Sequence, residues 1–478
     1  MSPSVFSRLR RSMAITLLLG MSLQPSIAQE ESVTLSEAEL RSIVMLHHPI
    51  ARQAQAGIQL AASERTRTRG AFDPRVEYER ASKTVDGLAY YEYRNTAWRI
   101  PTWFGVEVKG GWEYLAGNRT PETETLGANN YVGVSLPLLK GLSMDKRRTD
   151  LRKATIGIEA SENERRKMLN DLLAEALEDF WDWVRYHQWE RSLDSLLQIN
   201  QTRLELIRAS VREGDRAAAD TIEGLAQLNQ WQIAYQEAQL NRRKAQWKLS
   251  DHLWMENQQP FLLPENVKPD STAIREYAQQ PDPGRLEEWT SALPVNNPDW
   301  QALTYQGQQL RVDRKFFRQE LLPDVRFDYN QLGKNNNLIR TMQQPWLENN
   351  YRYGLRLSVP LRWSAERGQL QVTEWKIRQN RWKQDWTGWK LTNQARALYT
   401  EQVALQQQTV IQQQMLRQYA NLLQLEWLRF RQGESSLFLV NARETRYQET
   451  WQKLLELQFK FKRSAVGLQQ VAGRLVSK

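Results

Sequence analysis

Four histidines, His47, His48, His187 and His252, are the side chains of this 478-residue sequence best suited to bind a metal or move a proton near neutral pH. Their spacing supports neither chemistry. None falls in a metal-ligand pattern or beside the groups a nucleophilic triad needs. Cysteine is absent, which removes thiolate metal sites, disulfides and a thiol for lipid attachment. The residues predict no enzyme, no cofactor and no metal site.

Polar residues gather more tellingly behind two glycines. Arg212-Glu213-Gly214-Asp215 precedes Asp220, Thr221, Ile222 and Glu223, and Arg431-Gln432-Gly433-Glu434 precedes Val440, Asn441, Ala442, Arg443 and Glu444. Glycine suits the left-handed residue that ends a helix, and Asp or Ser after it caps the next one. As capped helical hairpins these motifs need no further chemistry. Any function must come from where the flanking elements carry them.

Those elements are long. No proline lies between Pro137 and Pro260 and none follows Pro360, so each half of the chain supports extended helices. From about Ser143 to Arg212 an apolar stripe runs through Leu169, Leu173, Ala176, Phe180, Val184, Leu193, Leu197, Leu204, Ile207 and Val211, near coiled-coil spacing. A counterpart from about Ala365 to Arg431 passes through Leu391, Ala395, Leu398, Leu405, Leu416, Leu423 and Phe430. At about 1.5 Å per residue, some 70 residues make a rod on the order of 100 Å. Shorter helices are predicted at Ile50–Arg69, Ala217–Trp254, Asp299–Gln319 and Ser436–Val476.

Before each rod the sequence reads as strand. Pro49 is followed by Pro74 and Pro298 by Pro323, a spacing of 25 in both halves (74 − 49 = 323 − 298), and each second proline opens an alternating run. Val76 and Tyr78 alternate with Arg75, Glu77 and Glu79, and Val132, Val134 and Leu136 with Tyr131, Gly133 and Ser135. In the second half, Val325 and Phe327 alternate with Asp324, Arg326 and Asp328, and Leu355, Leu357 and Val359 with Arg356 and Ser358. An arginine facing lipid is costly, so the polar face looks into water and the apolar residues of each run face lipid. Four strands result, two per repeat. Four cannot close a barrel, and open edges are excluded from lipid, so the barrel must be shared between chains. The segment from about Lys83 to Asn130 exceeds a hairpin turn and holds a strand-like piece at Phe104–Tyr114; it reads as an enlarged outward loop or an extra hairpin. Aromatics near the strands, including Tyr90, Trp98, Trp112, Trp346 and Tyr353, suit an interfacial belt, with ordinary packing as the alternative.

Composition agrees with an envelope protein. Arg8, Arg10 and Arg11 precede an apolar stretch from Met13 to about Met21, and Ser26-Ile27-Ala28 offers a cleavage site, which reads as a secretory signal over 1–28. The net charge of +10 falls to +7 without those three arginines, and basic and acidic residues alternate along helical segments such as Glu162–Lys167, so nucleic acid is a poor partner. The predicted organisation is a first repeat over 29–256, with strands about 72–138 and a helical hairpin over 143–255. A linker or equatorial collar over 257–297, rich in Pro, Gln and Asp, leads to a second repeat over 298–478, with strands about 323–362 and a hairpin over 364–476.

The duplicated plan, the breaks at His48-Pro49 and Asn297-Pro298, Leu321-Leu322-Pro323 before a strand, Gly133 to Gly141 ending one, and the two glycine turns together resemble the TolC-type outer membrane efflux proteins. The resemblance extends from about Val33 to Lys478. It implies a mixed α/β membrane protein, a homotrimer whose three chains of four strands form one 12-stranded barrel continued by a periplasmic α-helical coiled-coil tube. It implies a passive duct in outer membrane lipid, docked onto a periplasmic adaptor and an inner-membrane pump. By position it makes Asp220, Glu223 and Asn441 periplasmic gate residues. The tip turns, with Arg212, Gly214, Asp215, Arg431, Gly433 and Glu434, become the adaptor contacts. The second turn is one residue shorter than the family's pattern and lacks its acidic pair, so any selectivity filter depends on the first turn or is absent. A soluble periplasmic coiled-coil scaffold is the competing expectation; it leaves the strands and tryptophans idle.

Overall fold

A computed structural model describes residues 34–118, 125–270, 281–334 and 337–476; the predicted signal over 1–28 lies outside the described residues. Contacts divide the chain into two compact units that cut across its sequence halves. One comprises the chain up to Ala56, Glu164–Trp300 and Thr387 onward; the other comprises Gly57–Asn163 and Gln301–Trp386.

The first unit is built of helices, several of which run on into the second, to which nearly all of Pro298–Glu320 belongs. A short parallel pair, β1 (Thr34–Leu35) with β6 (Lys268–Pro269), precedes α1 (Glu37–His47). Helix α1 starts on a capping box, in which the Glu39 amide donates to Ser36 Oγ at 3.3 Å and the Ser36 amide to Glu39 Oε2 at 2.9 Å. Helix α2 (Pro49–Arg69) follows, then α3 (Lys146–Arg212, 67 residues) and α4 (Ala218–Ser250). In the second half these are matched by α6 (Pro298–Glu320), α8 (Ser364–Arg431, 68 residues) and α9 (Leu437–Val471). The predicted stripe residues Leu169, Leu173, Ala176, Phe180 and Val184 join Leu40, Leu249, Leu253 and Phe261 in the main core. Within the predicted linker, α5 (Pro283–Asn296) is a helix of 14 residues. Pro283 occupies its first turn, where no amide hydrogen is needed, and Asp282 caps it, so the proline-rich stretch holds a helix of its own. Among the described residues no helix is long and apolar enough to cross a membrane.

The second unit holds one antiparallel sheet, and here the expectation of four strands is corrected to six. They are β2 (Arg75–Val85), β3 (Leu88–Pro101), β4 (Glu107–Ala116), β5 (Gly127–Pro137), β7 (Asp324–Lys334) and β8 (Tyr351–Ser358), neighbouring in that order. The segment read as an outward loop or extra hairpin is an extra hairpin. Asp86 and Gly87, at φ 53° and 76°, make a two-residue turn of the left-handed type that matches strand twist, with Val85 paired to Leu88. At β4 the indole of Trp98 lies where a Cβ on Gly110 would sit, 2.4 Å away, so glycine lets the aromatic cross the neighbouring strand. The four-strand count, and with it twelve strands for three chains, does not hold.

Register settles the faces of this sheet. Val132 opposes Gln331, Val134 opposes Tyr329, Leu136 opposes Phe327, Phe327 opposes Leu355 and Val325 opposes Leu357, so these predicted lipid-facing residues share one face. Val359 lies just past the end of β8. The opposite face carries Glu107, Lys109, Glu113, Asp324, Arg326, Asp328, Arg352 and Arg356, with Lys109 Nζ bonded to Asp328 Oδ1 at 2.8 Å. At one end the apolar face becomes polar, at Asn130 and Gln331, both fully buried. The connection holding α7 (Leu338–Met342) folds over them: Thr341 Oγ1 donates to Asn130 Oδ1 at 2.6 Å, and Gln331 Nε2 to the Asn349 carbonyl at 3.0 Å.

Candidate functional site

The two glycine turns close with the same backbone. Gly214 and Gly433 have φ of 85° and 80°. The Gly214 amide donates to the Val211 carbonyl and that of Asp215 to Ser210; Gly433 donates likewise to Phe430 and Glu434 to Arg429. Both are therefore Schellman ends, in which glycine accepts the left-handed conformation at no steric cost. A Cβ at either glycine would meet nothing within 4 Å, so the requirement for glycine is conformational.

Their side chains differ. Ser436 caps α9 by accepting from the Leu439 amide at 3.4 Å, as the motif predicts. At the first turn the cap position falls on Ala217, which has no side-chain acceptor, and neither Asp215 nor Asp220 supplies one. Arg216 ties the first turn to the second instead. Its guanidinium lies 3.9 Å from the Phe430 ring centroid, donates to the Phe430 carbonyl at 3.3 Å and sits 3.5 Å from Asp220. Arg212, Gly214, Asp215, Arg431, Gly433 and Glu434 are all exposed.

Behind the turns the predicted gate residues meet a polar core. Asn441 Nδ2 donates to Glu223 Oε1 at 3.3 Å, and Asn441 Oδ1 accepts from Arg203 Nη1 at 3.2 Å. Arg203 also grips Glu444 through two bonds of 2.7 and 3.1 Å, and Asn200 Nδ2 donates to Glu444 Oε2 at 3.1 Å. The guanidinium lies 4.4 Å from the Trp427 ring centroid. Arg203 and Glu444 side chains are 5% and 3% exposed, so this is a fully desolvated, forked ion pair. An apolar cluster of Ile207, Phe430, Leu437 and Val440 lies beside it. The structure thus brings Glu223 and Asn441 together, buries Asn441, and leaves Asp220 half-exposed in the first turn of α4. Sequence reasoning missed Arg203. Its signal was an arginine on the apolar stripe, directly before Leu204.

A groove of about 820 Å³ opens alongside, with apolar Ile199, Leu206, Trp427 and Phe430 and basic Arg203, Arg216 and Arg431 in its walls.

The histidines sit elsewhere in the helical unit. The rings of His48 and His252 are 6.2 Å apart, and His252 Nε2 is 2.9 Å from Asp179 Oδ2. Burial works against the ionised Asp179, yet hydrogen bonds from His252 and Lys248 hold its carboxyl below the ordinary value. Burial, reinforced by Arg242, Arg191 and Lys268, pushes His187 down to about 4, and burial beside His252 lowers His48. Among the described residues no three His, Asp or Glu side chains are grouped to hold a metal.

No protein-family model matches this sequence, and comparison with curated proteins finds no match. Solved structures do match. CusC, in a study of its folding and transmembrane channel formation, is similar with a TM-score of 0.66 at 12% identity, over 95% of this chain and 99% of that one. The Campylobacter jejuni CmeC outer membrane channel gives 0.61 at 13% identity, over 96% and 94%. The Neisseria gonorrhoeae MtrE outer membrane channel, in its open state, gives 0.60 at 13% identity, over 95% of each chain. The chain has the fold of these outer membrane channels.

Proposed function

We propose that this chain, which has the fold of outer membrane channels, is itself one subunit of such a channel, of the TolC type. Three copies form a passive duct across the outer membrane. Its helical part stands in the periplasm, where the glycine turns meet an adaptor protein and an inner-membrane pump delivers the cargo. The system is one of tripartite efflux or type I secretion, and the duct has no catalytic step.

The observation that carries this reading is the sheet. One face is apolar along the central strands and the other carries charged residues on every strand but β5, which suits a wall between lipid and water. In a threefold assembly, half-exposed Asp220 in the first turn of α4 is the gate acid, and three copies around an axis attract cations and repel one another. Glu223 and Asn441 support that gate from behind, through the bond to Arg203. Arg212, Gly214, Asp215, Arg431, Gly433 and Glu434 form the adaptor contact, and Val132, Val134, Leu136, Val325, Phe327, Leu355, Leu357 and Val359 the lipid contact.

Fractionation of cell envelopes tests the reading. The protein should sediment with outer membranes and leave them only in detergent. Release into the soluble periplasmic fraction would leave a coiled-coil scaffold as the better account.

A further inference from the structure

The six-stranded sheet has two open edges. Every residue of β8 and all of β2 except Ala81 are exposed, including Val76 (75%), Tyr78 (65%), Leu355 (64%) and Leu357 (64%). In hydrocarbon an open edge is excluded, because its amide and carbonyl groups have no water to bond. Since the strands alternate in direction across the sheet, β2 and β8 run antiparallel to each other. The β8 edge of one copy can therefore pair with the β2 edge of the next in a head-to-tail ring.

Charge selects the partner and the register. On the charged face, Arg356 stands directly opposite Arg326; Asp328 interacts with Arg326 from the same strand, but Arg356 has no acid opposite it. On the same face β2 offers Glu77 and Glu79. Glu79 and Arg356 have no ion-pair partner among the described residues, and Glu77 has only the exposed Arg99, at 3.5 Å. We propose that β8 of one copy pairs with β2 of the next with Arg356 opposite Glu77, and that three copies so joined close a barrel of 18 strands. The count of three rests on the channel reading above.

The same register matches the other face. It sets Leu357 against Val76, Leu355 against Tyr78 and Tyr353 against Arg80, apolar on apolar with the charge over an aromatic ring. It also closes geometrically. Observed pairs lead from Arg75 through Arg99, Lys109, Gly133 and Asn330 to Arg352, and the proposed seam leads on to Ala81, six residues beyond the start. A stagger of six residues over six strands tilts the strands by about 35°, within the range of known barrels. Sliding the seam two residues one way sets Arg356 against Arg75; sliding it the other way sets Arg352 against Lys83. Eighteen strands at that tilt enclose a backbone circle ~34 Å across, against ~22 Å for twelve.

The natural chain has no cysteine, so introduced thiols report only on the seam. The test oxidises membranes carrying Glu77→Cys with Arg356→Cys, and separately Val76→Cys with Leu357→Cys on the other face of the same register. The mass of the detergent-extracted particle is measured alongside. The expected result is a denaturing-gel ladder ending at three chains for both pairs. A three-chain particle that instead cross-links through Glu113→Cys with Arg356→Cys, or through none of these pairs, overturns the 18-stranded barrel while leaving the channel reading standing. A one-chain, detergent-independent particle overturns the channel reading itself.

Discussion

Arg203 and Glu444 lie 2.7 Å apart behind the helix turns, almost wholly buried, and their neighbours Asn200, Glu223 and Asn441 all bond within the same chain. On the sheet, Glu79 and Arg356 stand exposed on open edges with no such partner among the described residues. The helical end of the protomer pairs its buried charges within one chain, whereas the edge charges Glu79 and Arg356 of the sheet have no ion-pair partner among the described residues. The difference teaches where the proposed assembly would contribute stability. It also shows where a single chain is already finished.

The comparison breaks most sharply at the ion pair. Glu444→Ala leaves the Arg203 guanidinium buried without its carboxylate, and we expect a loss of about 3–5 kcal/mol in the helical unit. Arg203→Met with Glu444→Leu should recover much of it. Chemical denaturation followed by tryptophan fluorescence reads both variants, since Trp427 lies against the guanidinium.

On the sheet the corresponding test compares faces. Val134→Arg places a charge on the apolar face and should cost about 2–4 kcal/mol in membrane assembly. Gly354→Arg, on the charged face opposite Asp328 with open space at its Cβ, should assemble nearly as the unchanged protein does. The yield of detergent-extracted assembled particle measures the contrast, and equal yields would erase the distinction between the faces.

Acidification sharpens the account of the helical core. The folded pKa of His187, about 4, lies below its ordinary 6.5, so the unfolded chain binds the extra proton first. While Glu190 and Asp182, whose carboxyl pKa values burial raises, act in the opposite direction, the His187 contribution is full above pH 6.5, falls as pH drops from about 6.5 to about 4, and levels off below. His48, lowered in the same direction, adds to that slope. Asp179 acts only lower, below its ordinary 3.8. Urea midpoints across pH 4–7 should flatten in His187→Gln relative to the unchanged chain.

The smallest effects distinguish the two turns. Gly214→Ala and Gly433→Ala should each cost about 1–2 kcal/mol, since each places an ordinary residue in a left-handed conformation with no clash to add. Ala217→Ser should instead gain about 0.5–1 kcal/mol by supplying the missing cap, while Ser436→Ala loses a similar amount. Thermal unfolding of these variants would order them.

The long helices were legible because nothing interrupts them: prolines are missing over just those spans, and both rods end at glycines that require left-handed backbone. Strand faces were legible wherever charged and apolar residues alternate, as at Asp324–Tyr329. The extra hairpin was harder. In Leu88–Pro101 aromatics fall on both faces and Glu92 and Arg94 occupy the otherwise apolar one, so no two-residue period stands out. Asp86-Gly87 was the available signal for it. The Arg203–Glu444 pair was illegible because its partners lie 241 residues apart and only packing of four helix ends brings them together.

The most direct test of a multichain outer membrane duct is the mass of the particle that detergent extracts from outer membranes, with detergent contribution subtracted. The account predicts three chains of protein mass. A single chain that needs no detergent to stay in solution would contradict it.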